Sequence, residues 1–375
     1  MRILVVGAGA TGGYFGGRLL QAGRDVTFLV RPRRAAELAT AGIVIRSPHG
    51  DVTLKDPPTI QAEKLAQKFD VVLLSCKAFD LEDAIESFAP AVGPNTSIIP
   101  LLNGMRHLDI LDRKFGTERV LGGLCQIAAT LNEEREVVQL QPMQSISYGE
   151  RDGKLSDRVQ AIDEVFKSGI IGARASENIV QDMWDKWVFL ASLAAATCLM
   201  RTSVGNILAA PGGKDFMLGI LDESVATATA SGYPPAGRFF ENSKGMLIAE
   251  GSPMTASMFR DIKANQRVEA DHVIGDMIAR ADAAKVPVPK LRIAYTHLKA
   301  YEKQREAGGD RELNYRCGFN SHHFRGKSPS SQLSHRAPCS SCSPEGTGSA
   351  SENFGLRRER DIFRTIARMG DSMKM

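Results

Sequence analysis

Gly7-Ala8-Gly9-Ala10-Thr11-Gly12 has the spacing G-x-G-x-x-G, and the chemistry that spacing suits is the holding of a pyrophosphate. Glycine serves the tight turn at Gly7, close approach of backbone to the anion at Gly9, and helix-strand packing at Gly12. The free N–H groups and positive dipole end of the following helix then face the ligand. With 35 glycines in 375 residues the spacing alone is weak, so its context decides. Apolar Ile3 to Val6 precedes it, a helix opens at Gly13, and the apolar run Asp25 to Val30 ends about twenty residues downstream, where a ribose-reading residue belongs. Arg31 stands there, with Arg33 and Arg34 beside it. An acidic residue would bond the ribose 2′-hydroxyl of NAD, whereas arginine pairs with a 2′-phosphate, so the sequence predicts NADPH.

Two further runs, Asp70 to Ser75 and Ser97 to Leu102, are continuously apolar in the manner of strands buried in a parallel sheet. They deliver Lys77 and Asn103 to the rim where open α/β sheets bind ligands. Ile43 to Ile45 and Asp51 to Leu54 flank a Ser-Pro-His-Gly turn and read as a decorative hairpin. Strands are expected over 120–130, 137–140, 145–148 and 170–175, with a helix over 156–167. From Glu177 the texture is helical. Asp182 to Met200 carries one charge deep in its apolar pattern, Lys186, and a later helix over about 255–285 carries Ser257, Asp261 and Glu269 along one broad side. Leu291 to Glu306 reads as a last helix. The expected organisation is α/β: a Rossmann dinucleotide-binding domain over 1–175, an all-helical substrate and catalytic domain over 176–308, and a disordered tail over 309–375.

The last 67 residues hold eleven basic and seven acidic side chains, so the net charge of +4 resides there and the first 308 residues, with 36 of each sign, are neutral. The basic balance therefore says nothing for nucleic acid. The most apolar stretch, Val188 to Met200, spans 13 residues, short of the roughly 20 a membrane helix needs. The N-terminal apolar run is better explained as strand and turn than as a signal peptide, and a cytoplasmic protein is expected. Cys76, Cys125 and Cys198 sit among apolar residues, while Cys317, Cys339 and Cys342 fall in the tail with His322 and His323. One Cys-x-x-Cys lacks the paired spacing of a zinc module, so no metal and no disulfide framework are expected.

Taken together, the glycine turn, Arg31, Leu74-Ser75-Cys76-Lys77-Ala78, Asn103-Gly104-Met105, Trp184-Asp185-Lys186, and Ser257 followed twelve residues later by Glu269 resemble the ketopantoate reductase family (2-dehydropantoate 2-reductases) over residues 1–306. The resemblance implies NADPH and a small 2-keto acid meeting in a cleft between the two domains. It makes Lys186 the proton donor, Lys77 and Asn103 positioning groups for cofactor and substrate, Ser257 a substrate contact, Glu269 a cofactor contact, and Ala128 a backbone contact to the nicotinamide half. The chemistry agrees: hydride addition to a ketone leaves charge on oxygen, which needs a cation or acid within hydrogen-bond reach. A lysine on an apolar helix supplies both, and desolvation lowers its pKa toward a useful range.

Many members carry asparagines four and eight residues after the lysine; here those positions are Leu190 and Ala194. A further asparagine is displaced, with Val204 in its place and Asn206 two residues on. Ser192 and Asn206 are polar residues that could serve from another direction. The reading is a 2-dehydropantoate 2-reductase-like enzyme of the pantothenate pathway. Its alternatives are a related reductase of a more apolar carbonyl compound and an NADP-binding protein whose chemistry has lapsed. Homodimerisation is left open.

Overall fold

The structure is a computed structural model that describes residues 1–317, with side chains to residue 308. Strand β1 (Arg2–Val6), helix α1 (Ala10–Gln21) and strand β2 (Asp25–Leu29) form the first crossover unit, followed by α2 (Pro32–Ala41). The hairpin β3 (Ile43–Arg46) and β4 (Val52–Leu54) leads to short β5 (Thr59–Ile60), then β6 (Val71–Leu74), α3 (Leu81–Phe88), β7 (Ser97–Pro100) and α4 (Arg106–Phe115). The first sheet runs β5-β2-β1-β6-β7, all parallel, with Leu4 of β1 paired to Thr27 on one side and Val72 on the other. Both faces are covered: Leu4 and Val72 enter one apolar core, Ile3, Val5 and Val71 the other. That double burial is why these strands read as unbroken apolar runs. The chain runs outward from β1 through β2 to β5 on one side and returns to β6 on the other, so the strand order reverses between β1 and β6, and their carboxyl ends frame a crevice.

A second sheet is built on β8 (Gly122–Leu131) and β9 (Val137–Gly149), paired antiparallel, with order β10-β9-β3-β4 along the other edge of β9. The hairpin is thus no decoration: Ile45 pairs with Val137 and ties it into this sheet. The two strands expected over 137–140 and 145–148 are one extended strand, although its pairing with β8 lapses over residues 140–143, between Gln139 opposite Ala129 and Gln144 opposite Ile127. After α5 (Asp157–Lys167), β10 is confined to Ala173–Ala175.

The second domain is helical: α6 (Ile179–Met200), α7 (Val204–Ala209), α8 (Gly213–Ala230), α9 (Gly237–Leu247), α10 (Ser257–Lys263), α11 (Asp276–Ala283) and α12 (Pro289–Cys317). Helix α6 is buried on nearly every side, with Trp184, Trp187, Ala195 and Cys198 all in the core, which explains why it lacks an amphipathic stripe. Among the described residues no helix is long and apolar enough to cross a membrane. The single helix expected over 255–285 is interrupted. Asn265 takes a left-handed φ of 51°, a conformation asparagine tolerates, and the chain continues through a π turn, Asp271–Gly275, into α11. Helix α12 runs past Gly308, where the tail was expected to begin; the remaining tail, with Cys339, Cys342, His322 and His323, lies outside the described residues.

Candidate active site

The glycine turn leaves β1 at Gly7, whose φ of 93° suits glycine and whose N–H donates to Leu29 O at 3.0 Å. At Gly12 a Cβ would lie 2.2 Å from both Gly7 O and Ser75 Oγ, so only glycine lets α1 pack this close. Ser75 Oγ donates to Val6 O at 2.9 Å and so stitches the turn to the end of β6. Beside Gly9, by contrast, a Cβ would meet nothing within 4 Å, and no side chain caps α1. The residues therefore fit a dinucleotide: an open face and first-turn N–H groups that a pyrophosphate can take up.

The three arginines after β2 do different work. Arg34 is largely covered, with Nε donating to Ala8 O at 3.0 Å and Nη1 3.0 Å from Glu37, so it braces the turn itself. Arg33 pairs with Glu37 on the surface. Arg31 keeps 69% of its side chain exposed and lies 3.2 Å from Asp80 across the crevice; it and the still more exposed Arg33 can swing onto a ligand, whereas Arg34 is held.

Lys186 projects from α6 toward the loop after β7. Its Nζ donates to Asn103 Oδ1 at 3.1 Å, and the residue is only 9% exposed. Burial drives its ammonium below the usual lysine range, with Cys125 and Glu269 opposing weakly. Around it Leu102, Leu124, Met183 and Leu190 line a small cleft, so the amine sits in a mostly apolar wall.

Lys77, following β6, reaches the helical domain. Its Nζ lies 3.1 Å from Asp261 Oδ2 and 3.4 Å from Glu269 Oε2, while Glu269 Oε1 accepts from Ala78 N at 2.9 Å. Burial pushes the Lys77 ammonium down, but the two carboxylates outweigh it and raise it above the usual range. Lys77 and Lys186, both at the rim, are thus tuned in opposite directions. Ser257 is exposed at the start of α10, one turn before Asp261, and among the described residues no hydrogen bond joins it to the other candidates. Ala128 falls where the β8–β9 register shifts between Ile127 and Ala129, a bulge that releases its backbone from pairing. Among the described residues no group of three His, Cys, Asp or Glu side chains could hold a metal ion.

Four residues of this region carry no role in the sequence reading: Ser75, Asp80, His107 and His272. For Ser75 the available signal is its position one residue past the apolar strand. The histidines lie 165 positions apart and gave none.

A parallel dinucleotide sheet closed by a helical domain, with a buried lysine on the facing helix, defines an oxidoreductase of the Rossmann class. The model of ketopantoate reductase PanE/ApbA matches residues 3–153, and that of its C-terminal domain matches 178–302. The chain belongs to the ketopantoate reductase family. It is 36% identical over 305 residues to an uncharacterized oxidoreductase, YkpB, of Bacillus subtilis, covering 81% of this chain and all of that one. Among solved structures it resembles a 2-dehydropantoate 2-reductase from Geobacter metallireducens, with a TM-score of 0.73 and 27% identity over 80% of this chain and 99% of that one. A D-mandelate dehydrogenase solved with NADH and anilino(oxo)acetate shares the fold, with a TM-score of 0.72 and 19% identity over 82% of this chain and all of that one.

Proposed function

We propose that this chain reduces a 2-keto acid to the 2-hydroxy acid with NADPH, as a 2-dehydropantoate 2-reductase-like enzyme of pantothenate biosynthesis in the cytoplasm. The carrying observation is the buried Lys186 ammonium, held by Asn103 on the rim that also bears the glycine turn. Residues 7–12 and Arg31 would hold the phosphates, with Lys77, Asn103, Ala128 and Glu269 bordering the rest of the cofactor. When bound, the reduced nicotinamide supplies the hydride. Lys186 supplies the proton to the carbonyl oxygen, and its lowered pKa eases that transfer. Asn103 aims Nζ, and Ser257 is the proposed substrate contact. Domain limits at 175 and 308 are part of the same reading, and the solution state, including a homodimer, is open to direct measurement.

A second reading, a more apolar 2-keto acid than ketopantoate, is favoured by Leu190 in the wall beside Lys186. Similarity to a protein named D-mandelate dehydrogenase points the same way. NADPH consumption against a panel of hydroxylated, branched and aromatic 2-keto acids tests both. Absence of turnover with every member, in protein that binds NADPH, would leave a carbonyl compound of another class or the lapsed-enzyme alternative.

A further inference from the structure

Behind Asn103 the structure buries two imidazoles against each other. Nδ1 of His107 lies 3.2 Å from Nε2 of His272, with the ring planes 21° apart. His107 is fully buried in the first turn of α4, four residues after Asn103. His272 belongs to the π turn, three residues after Glu269. Loop and turn meet closely: Gly104 has a φ of 79°, and a Cβ there would come within 2.8 Å of the His272 carbonyl oxygen. On its other side the turn is fastened to α6, where Trp187 Nε1, next in sequence to Lys186, donates to Val273 O at 2.9 Å.

We infer that His107 and His272 are positioning residues, which clamp the Asn103 loop to the π turn and so keep the Asn103 carboxamide on Lys186. The inference rests on the proton-donor reading of Lys186. Three observations carry it. The π turn is an uncommon element that concentrates at functional sites, and here it is the piece touching both the loop and α6. The pair is costly as mere filling, since His107 Nε2 is buried with no partner among the described residues. Finally, its geometry has one sense. Placing the proton of His107 on Nδ1 makes that orphan a bare lone pair and makes His107 the donor, His272 the acceptor. Burial keeps both rings neutral near pH 7; the positive charges of Lys186, Arg280 and Arg151 add to it at His107, while at His272 Glu269 and Asp276 oppose it and Arg106 adds to it.

The test uses the full chain with NADPH and the keto acid it turns over best. In His272→Ala, kcat falls about tenfold or more, since a misplacement near 1 Å can cost about 100-fold. NADPH affinity is unchanged. The alkaline limb of the kcat profile moves to lower pH, because Lys186 loses a partner that favours its charged form. His272→Gln, which keeps an acceptor within reach of His107, recovers part of the rate and returns the limb. Lys186→Ala with His272→Ala is no slower than Lys186→Ala alone. If His272→Ala fails to fold, His107→Phe, which fills the same space, carries the same expectations. An unmoved kcat and limb, or fully additive losses in the double variant, overturns the inference. Lys186→Ala at near-full rate defeats the proton-donor reading instead; an inactive Lys186→Ala beside a fully active His272→Ala defeats this inference alone.

Discussion

Nζ of Lys186 lies 3.1 Å from Oδ1 of Asn103, although the two are 83 positions apart and come from different domains. One is the last charged side chain of a core helix, the other the residue a buried strand delivers to its rim. Their contact joins the helical domain to the parallel sheet at the point where the proposed reaction places its carbonyl group.

Lys186→Ala is expected to lower kcat by about 10²–10⁴-fold, the usual worth of general acid catalysis, with little change in NADPH affinity. In the unmutated protein the lysine must be protonated to act. Burial depresses its pKa, so kcat should fall as pH rises through a value below that of a free lysine. A kcat profile flat into the alkaline range, or an active alanine variant, removes Lys186 from the mechanism.

Arg31→Ala should erode a preference for NADPH over NADH. A charge-assisted bond of this kind is worth about 1.5–3 kcal/mol, or roughly 10–100-fold in the ratio of kcat/KM values. Arg34→Ala should instead destabilise the turn, because that guanidinium is spent on Ala8 O and Glu37. Equal efficiency with both cofactors before mutation would refute the reading of this loop.

The parallel sheet, the glycine turn and the two strand ends were legible because each is a local pattern: a run of apolar residues, a spacing of glycines, a polar residue where the run stops. Lys186 was legible as one charge in an apolar helix. The hairpin's place in the second sheet was not, since Ile45 finds Val137 across 91 intervening residues and only pairing reveals it. Nor was the break at Asn265, where a left-handed backbone overrides a sequence that otherwise suits a helix. That break sets Glu269 free to turn toward Ala78 N, so the segment with no local signature lies at the site.

Glu269→Ala should raise KM for NADPH, since it strips Ala78 N of its acceptor and leaves Lys77 with Asp261 alone. Glu269→Gln keeps an acceptor for Ala78 N and should lose less. Titrating NADPH into both variants by fluorescence checks the order; an alanine variant that binds as tightly as the glutamine one shows that Glu269 does not shape the crevice.

Acid should destabilise the fold before the carboxylates titrate. Burial holds His107 well below, and His272 below, the ordinary histidine value near 6.5. Both therefore contribute stability that is present above that pH and lost as pH falls, because the unfolded chain binds protons the folded one refuses. Each ring adds a slope of up to about 1.4 kcal/mol per pH unit below 6.5. Melting followed from pH 7.5 to 5.5 should show Tm falling, with a shallower fall in His107→Phe. A Tm independent of pH across this window would mean the rings are charged or solvated in the folded state.

The substrate side chain is expected to be more apolar than that of ketopantoate, and the argument turns on where each replaced position faces. Lys186, Leu190 and Ala194 are spaced four apart along α6 and so share a face. Of the two, Leu190 borders the cleft at Lys186, whereas Ala194 is buried in the core at 4% exposure. Neither polar residue that could compensate is placed to do so. Ser192 Oγ is buried, bonded to Val188 O and Ser224, and Asn206 pairs with Thr202 in a separate recess with Arg201 and Lys263. A hydroxyl lying against Leu190 without a partner would cost about 1–3 kcal/mol, up to roughly a hundredfold in discrimination. An apolar group there gains about 0.8 kcal/mol per buried CH₂ instead. The measurement is kcat/KM for ketopantoate against its analogue lacking the hydroxyl, in the native chain and in Leu190→Asn. The native chain should favour the deoxy acid, and Leu190→Asn should shift the ratio toward ketopantoate. A strong native preference for the hydroxylated acid, unchanged by Leu190→Asn, would show that Leu190 does not face the substrate's side chain.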